Sequence, residues 1–188
     1  MSTSERRPLR ADARRNRDRV LAAARDAFAE SGFDVPLDVI AERAGVGPGT
    51  VYRHFPTKEA LFEAVTADRV RALVDAAWEG ARSSDPTAAF DAFLARLAQE
   101  AVAKRDLPDA LGGAGAAALA VARDELPDAL GALLARAQEA GSVRPGIAAS
   151  DLLSLLKGLL QAVQASDDPE LPGRLLVVVR DGLRPPAR

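Results

Sequence analysis

Residues 37–61 read LDVIAERAGVGPGTVYRHFPTKEAL. The first apolar residues of this stretch recur with the spacing of one helical face: Leu37, Ile40, Ala41 and Ala44. Gly45 follows directly, and glycine readily adopts the left-handed conformation that a sharp exit from a helix needs. The stretch therefore predicts a two-turn helix that ends in a tight turn.

A second short helix follows the turn and begins at Pro48. Val51 and Phe55 lie four residues apart, so both can point at the core. The outward face then carries Pro48, Gly49, Thr50, Tyr52, Arg53 and His54. Two helices joined by a glycine-bearing turn form a helix-turn-helix, whose second helix enters the DNA major groove.

Pro56 ends this second helix, because proline disfavours helix in the residue before it. Thr57 is predicted to cap a third helix that starts at Lys58. A cation at a helix start opposes the helix dipole, so we infer that local stability does not explain Lys58 and that a nearby phosphate does.

An arginine-rich first helix followed by SGFDVPLDVIAERAGVGPGTVYRHFPTKEALFEAV, together residues 14–65, resembles the TetR-like bacterial transcriptional regulators. The elements IAxxAGV, GTxYxHF and K-E-x-L carry the resemblance. It implies an all-α fold with two domains. Residues 1–60 are expected to form a three-helix helix-turn-helix DNA-binding domain with a basic arm, and residues 61–188 a helical effector-binding and dimerisation domain.

The resemblance also implies DNA contacts, which fall into two groups. Phosphate contacts are expected from Thr50, Tyr52, His54 and Lys58, and base contacts from the positions of Gly47, Pro48 and Arg53. Of these side chains Arg53 can grip guanine in a bidentate way. Because Gly47 and Gly49 present no side chain, we expect close backbone approach there and a share of specificity from DNA shape.

The sequence departs from the family pattern at Val35-Pro36, where relatives commonly carry a hydroxyl that caps the second helix and meets a phosphate. Proline in the first helical turn is expected to replace the capping role only.

Residues 1–25 contain eight arginines against three acidic residues, whereas the whole chain has a net charge of −2. Two interpretations stay open for this basic leader: a solvated tail, or an arm that reaches phosphates or a minor groove. Arg14, near the start of the first helix, is predicted to contact DNA.

Composition limits the other classes of function. The chain has no cysteine, and its one histidine, His54, lies in the predicted DNA-facing helix. No nucleophile elbow or metal-ligand spacing is present, so we predict neither an enzyme nor a cofactor or metal site. Catalysis by paired carboxylates, Asp124-Glu125 or Asp167-Asp168, is left open. The absence of a long apolar run or signal core predicts a cytoplasmic protein.

The second half of the chain is rich in alanine and leucine with helical periodicity. Asp85 is predicted to cap a helix with Pro86 in its first turn. Further helix starts are predicted at Leu107-Pro108, Leu126-Pro127 and Ser150-Asp151, and a last helix over 171–183. The glycines of LGGAGAAALAVA, which resemble a phosphate loop only superficially, are interpreted as close helix packing or a break.

The segment DLLSLLKGLLQAVQA, residues 151–165, is apolar over much of its helical circumference, so it must bury more than one side. The family resemblance implies that the last two helices pair with their copies in a homodimer. The predicted interface residues are Leu152, Leu156, Leu159, Val163, Leu176 and Val179.

The resemblance further implies a repressor that binds a palindromic operator as a dimer and is released by a small molecule. Candidate effector-lining residues are Trp78, Phe90, Phe93 and Leu97. An activator and a ligand-independent DNA binder are the alternatives, and the sequence does not identify an effector.

Overall fold

The computed structural model describes residues 6–102, 120 and 124–186. All regular secondary structure in these residues is helical, which confirms the all-α prediction. The described ranges contain eight helices: α1 (Arg6–Ser31), α2 (Leu37–Ala44), α3 (Pro48–His54), α4 (Lys58–Ala81), α5 (Pro86–Val102), α6 (Leu126–Glu139), α7 (Ala149–Gln164) and α8 (Leu171–Leu183). In the same ranges, no helix is both long enough and apolar enough to cross a membrane.

The described residues divide into two compact units, unit 1 up to residue 67 and unit 2 from residue 68. The division lies within α4, as does the predicted domain boundary at residue 60. Each unit buries its own cluster of apolar side chains. The two units are therefore described separately.

Unit 1 packs α1, α2, α3 and the first turns of α4 around one core. The predicted apolar face of α1 is buried: Val20, Leu21, Ala24, Ala27 and Phe28. Phe28 packs against Phe33 and Phe62, and the three ring centroids are 5.6 to 6.0 Å apart. Edge-to-face and stacked aromatic pairs contribute beyond their buried area, so this cluster fastens the start of α4 to α1.

The turn between α2 and α3 has the predicted left-handed glycine. Gly45 has φ 61° and ψ 40°. Its N–H donates to the carbonyl of Glu42 at 2.9 Å, and the N–H of Val46 donates to the carbonyl of Ala41 at 3.0 Å. This pair of bonds satisfies two carbonyls at the end of α2 and forms a Schellman motif.

Two of the three helix starts with a predicted cap form as expected. The N–H of Ala60 donates to Thr57 Oγ1 at 3.1 Å, and the N–H of Ala88 donates to Asp85 Oδ1 at 3.0 Å. The expectation for Pro36 was wrong. Pro36 lies before the first helical residue of α2, in the N-cap position, and offers no side-chain acceptor, so it fixes the backbone at φ −65° without capping α2.

Unit 2 packs α5, α6, α7 and α8 with the later turns of α4. The predicted helix starts at Leu126-Pro127 and near Ser150-Asp151 are confirmed, as is the last helix over 171–183. Tertiary packing overrides the strand propensity of the valine run in α8. The predicted start at Leu107-Pro108 and the glycine-rich segment that follows it lie outside the described residues.

Replacement of Gly45 by alanine is expected to destabilise unit 1 by about 1–2 kcal/mol, because a Cβ is unfavourable in the left-handed region. The added Cβ would also meet the Arg19 guanidinium. Chemical denaturation followed by circular dichroism measures the change.

Gly47→Ser is the control for Gly45→Ala, because Gly47 is the N-cap of α3 and serine is at least as good an N-cap residue as glycine. Gly47 has φ −68°, and a Cβ built there meets no atom within 4 Å. Its free energy of unfolding should change by no more than about 0.5 kcal/mol. Equal losses in the two variants would contradict the assignment of Gly45 as the position that the turn requires.

Candidate nucleic-acid interface

Helix α3 presents one face to the core of unit 1 and the other to solvent. Val51 and Phe55 are buried, with exposed fractions of 0% and 3%. The opposite face contains most of the predicted DNA contacts: Pro48, Gly49, Tyr52 and Arg53 are exposed, and Thr50 and His54 are half-buried. The structure therefore brings these residues together on one accessible surface.

Two large side chains on this surface are exposed to solvent. Tyr52 is 48% exposed although it is large and aromatic. Arg53 is exposed and, within the described residues, has no hydrogen bond or ion pair with another side chain. A solvated guanidinium and a phenol on a helix face can both donate hydrogen bonds to another molecule.

The two glycines at the start of α3 are not required by the fold. Gly47 has an extended backbone that any residue adopts, and Gly49 lies in the first turn of the helix. A Cβ at either position meets no atom within 4 Å. A close approach by another molecule would explain why both positions lack a side chain, whereas packing within the chain does not.

Two cationic side chains of unit 1, Arg17 and Lys58, lie over aromatic rings of its core. The Arg17 guanidinium carbon is 5.3 Å from the centroid of the Phe55 ring, and Lys58 Nζ is 4.7 Å from that of Phe33. The inference that local stability does not explain Lys58 was therefore wrong, since a cation–π contact stabilises it there. Arg14, in the basic α1 segment, is exposed.

Sequence reasoning missed the residues of α1 that hold the helix-turn-helix. Arg19 Nη2 donates to the carbonyl of Gly45 at 3.1 Å, which connects α1 to the turn. Arg43 in α2 pairs with Glu30 at the end of α1, at 2.6 Å. The excess of arginine in the leader was visible, but sequence spacing does not show which arginines face the turn.

In unit 2 the predicted effector-lining residues belong mainly to the core. Phe90, Phe93 and Leu97 are buried, with at most 6% of each exposed. Trp78 is half-buried, and the Arg82 guanidinium carbon lies 5.8 Å from its ring. Of these four predicted residues, only Phe90 lines the cleft of about 350 Å³ that unit 2 contains between α5, α8 and the loop after α6.

The predicted interface residues of α7 face the interior of unit 2. Leu152, Leu156, Leu159 and Val163 are buried in its core, as is Val179 of α8, while Leu176 is half-buried. The large apolar side chains left at the surface of these two helices are Leu155, Val177 and Val178, which are 46%, 50% and 67% exposed.

One carboxylate of each pair that was left open as catalytic, Glu125 and Asp168, has a structural partner. Glu125 forms an ion pair with Arg71. Asp168 pairs with Arg174 at 2.5 Å and also accepts a hydrogen bond from the N–H of Glu170 at 2.9 Å. These contacts account for both carboxylates without a reaction.

Comparisons with known proteins agree over most of the chain. Residues 20–65 match the family model described as bacterial regulatory proteins of the tetR family, and residues 85–185 match the one described as the C-terminal domain of SbtR-like transcriptional regulators. The HTH-type transcriptional regulator UidR of Escherichia coli K12 is 40% identical over 67 residues, which are 35% of this chain and 34% of UidR. The chain thus spans about a third of the length of that curated relative.

Two solved structures resemble most of the chain. A TetR transcription regulatory protein from Mycobacterium vanbaalenii is 44% identical over 95% of this chain and 100% of its own, with a TM-score of 0.75. The TetR transcriptional regulator SCO0520 from Streptomyces coelicolor is 38% identical over 91% of this chain and 99% of its own, also with a TM-score of 0.75. The chain belongs to the TetR family of bacterial transcriptional regulators, and its N-terminal unit is the family's helix-turn-helix DNA-binding domain.

Proposed function

We propose that this regulator is a repressor that binds a palindromic or pseudo-palindromic operator as a homodimer and is released by a small molecule. The observation that supports it most directly is the outward face of α3, where Tyr52 and Arg53 are exposed beside two glycines that the fold does not require. An activator with the same DNA-binding surface is the alternative. Reporter expression after deletion of the gene distinguishes repression from activation.

In this proposal, some residues of the α3 surface contact DNA phosphates and others contact bases. Thr50, Tyr52, His54 and Lys58 contact phosphates, and Arg14 extends the phosphate contacts from α1. Arg53 reads a guanine through O6 and N7, an interaction worth about 1–3 kcal/mol of discrimination. Gly47, Pro48 and Gly49 let the backbone approach the base edges closely, so groove shape adds to specificity.

A homodimer gives the two recognition helices a fixed spacing, with half-sites about one helical turn apart. The surface residues of α7 and α8 suggest where the copies meet. Leu171, Leu175, Val178 and Gly182 recur along one flank of α8 at i, i+4, i+7 and i+11, and Leu155, Gly158 and Ala162 recur along one flank of α7. We propose that these flanks form the interface, while the buried stripe of α7 and half-buried Leu176, which packs against the core of unit 2, support it from inside.

Release by an effector requires that ligand binding in the helical domain changes operator affinity. Such a coupling is typically about 1–3 kcal/mol. The effector is unidentified, and Trp78, Phe90, Phe93 and Leu97 remain its proposed contacts. Since three of them are tightly packed in the described structure, the proposal requires their core to open when the ligand enters.

Arg53→Ala should weaken binding to the operator by about ten- to one-hundredfold, the equivalent of one lost bidentate base contact. Binding to random DNA should change much less, because it rests on phosphate contacts. Fluorescence anisotropy with DNA that flanks the gene, at several salt concentrations, measures both affinities. Arg136→Ala, which removes an exposed arginine of α6, is the control and should leave both unchanged. Equal loss on operator and random DNA would argue against base reading by Arg53.

Gly49→Ala should keep the fold, and by helix propensity stabilise it by up to about 1 kcal/mol, yet weaken operator binding because the methyl group points into the approach surface. Gly173→Ala in α8 is the matched control, since a Cβ there also meets nothing within 4 Å. Thermal denaturation and anisotropy on the same samples separate stability from affinity. Full operator affinity in Gly49→Ala would refute close backbone approach at this position.

Val178→Asp and Leu155→Asp should dissociate the dimer and abolish tight operator binding while leaving the unit 2 helices intact, because both side chains are at the surface. Size-exclusion chromatography with light scattering gives the mass in solution. Ser154→Asp, an exposed change one residue from Leu155, should stay dimeric. Leu159→Asp is unsuitable for this test, since it places a charge in the core. A stable dimer in both apolar variants would move the interface elsewhere.

A further inference from the structure

Unit 2 contains a cleft that shares only Phe90 with the effector contacts proposed above. Its volume is about 350 Å³, which lies within the range of small-molecule sites. The walls come from three separate segments: the first turns of α5, the loop after α6, and the end of α8. The lining residues that matter here are Phe90, Asp91, Val143, Arg180, Leu183 and Arg184.

Hydrogen bonds hold the rim of this cleft in place. The N–H of Arg144 donates to the carbonyl of Leu183 at 2.8 Å, so the loop after α6 is fixed to the last residue of α8. Gln138 Nε2 donates to the carbonyls of Arg144 and Ile147, both at 3.1 Å, from inside α6. A ligand would therefore enter a largely preformed site and would not have to order the loop.

Arg180 has an unsatisfied donor at this cleft. Its Nε–H is buried, and within the described structure it has no hydrogen-bond partner. The nearest carboxylate is that of Asp91, whose Oδ2 is 3.9 Å from Arg180 Nη1, too far for a hydrogen bond. A buried donor without a partner is unfavourable, so an acceptor placed in the cleft would relieve this cost.

The lining also indicates the kind of acceptor. Arg180 and Arg184 bring two positive charges and Asp91 one negative charge, so the lining side chains carry one net positive charge. Arg184 pairs with Asp181 at 3.2 Å, whereas the ion pair of Arg180 with Asp91 is longer, at 3.9 Å, so Arg180 is the better anchor for a ligand. Phe90, Val143 and Leu183 supply an apolar wall beside it. These features match a ligand with one negative charge and a compact apolar body.

We propose that this cleft binds a small monocarboxylate with an apolar body, and that Arg180 holds the carboxylate in a bidentate or Nε-directed hydrogen bond. The site shares only Phe90 with the predicted effector contacts. It is also separate from the proposed dimer flank. Arg180 lies about 200° around α8 from Val178, given about 100° per residue. The binding proposed here requires neither DNA nor a particular direction of regulation.

Isothermal titration calorimetry of the full chain with benzoate, phenylacetate and hexanoate tests the proposal. At least one should bind saturably with a dissociation constant of about 1 mM or tighter. The neutral analogue benzyl alcohol and inorganic phosphate should bind at least tenfold more weakly, because the first lacks the charge and the second lacks the apolar body. Phosphate that binds as well as the carboxylates would overturn the assignment of ligand class.

Three variants separate Arg180 from a general effect of charge. Arg180→Gln should weaken the carboxylate at least tenfold, and Asp91→Asn should strengthen it, because the competing carboxylate is removed. Arg174→Gln removes an arginine from the same helix that pairs with Asp168 outside the cleft, and should change nothing. Circular dichroism verifies that each variant is folded.

If Arg180→Gln does not fold, stronger binding by Asp91→Asn together with unchanged binding by Arg174→Gln still supports the proposal. Two results would overturn the proposal. One is carboxylate binding that neither Asp91→Asn nor Arg180→Gln changes. The other is that none of the three probes binds saturably to the parent chain or to Asp91→Asn.

Discussion

The left-handed conformation of Gly45 is the constraint on which the DNA-binding surface depends. It ends α2, turns the chain within three residues and starts α3, so it sets the direction in which α3 presents its outer face. Two backbone hydrogen bonds close the turn, and Arg19 attaches it to α1. These few contacts determine where Tyr52 and Arg53 lie. A short helix such as α3, with seven residues, has little stability of its own and takes its orientation from this support.

Unit 2 shows a different balance, because its helices bury one side within the chain and keep apolar residues on the other. The α7 stripe of Leu152, Leu156, Leu159 and Val163 is fully used by the core. Leu155 and Val178 remain at the surface, where solvent exposure of large apolar side chains is unfavourable. In the proposed dimer, packing within the chain and association between copies would therefore use adjacent flanks of the same helices.

Local signals in the sequence predicted local structure well. The glycine exit at Gly45, the caps by Thr57 and Asp85, and the division of α3 into two faces all follow from residue types at fixed spacing, and the structure has them. Partners across the fold were not predictable in the same way. The contact of Lys58 with Phe33 and the bond from Arg19 to Gly45 join residues 25 or 26 positions apart, and no periodicity encodes such pairs. Helical periodicity likewise identifies an apolar stripe but does not show whether it lies in the core or at an interface. The cleft at Arg180 was not predictable either, because its walls come from three segments that are distant in the sequence.

The contrast between Gly45 and its neighbours has an evolutionary consequence. Positions 47 and 49 have ordinary backbone angles and open space around them, so most side chains can be accepted there without loss of fold. Descendants of this protein can therefore explore new target sequences at these two sites without first acquiring compensating mutations. Position 45 has no such freedom, because its backbone angle is part of the scaffold. The same short turn thus contains one position that the fold fixes and two where the proposed recognition can change without loss of fold.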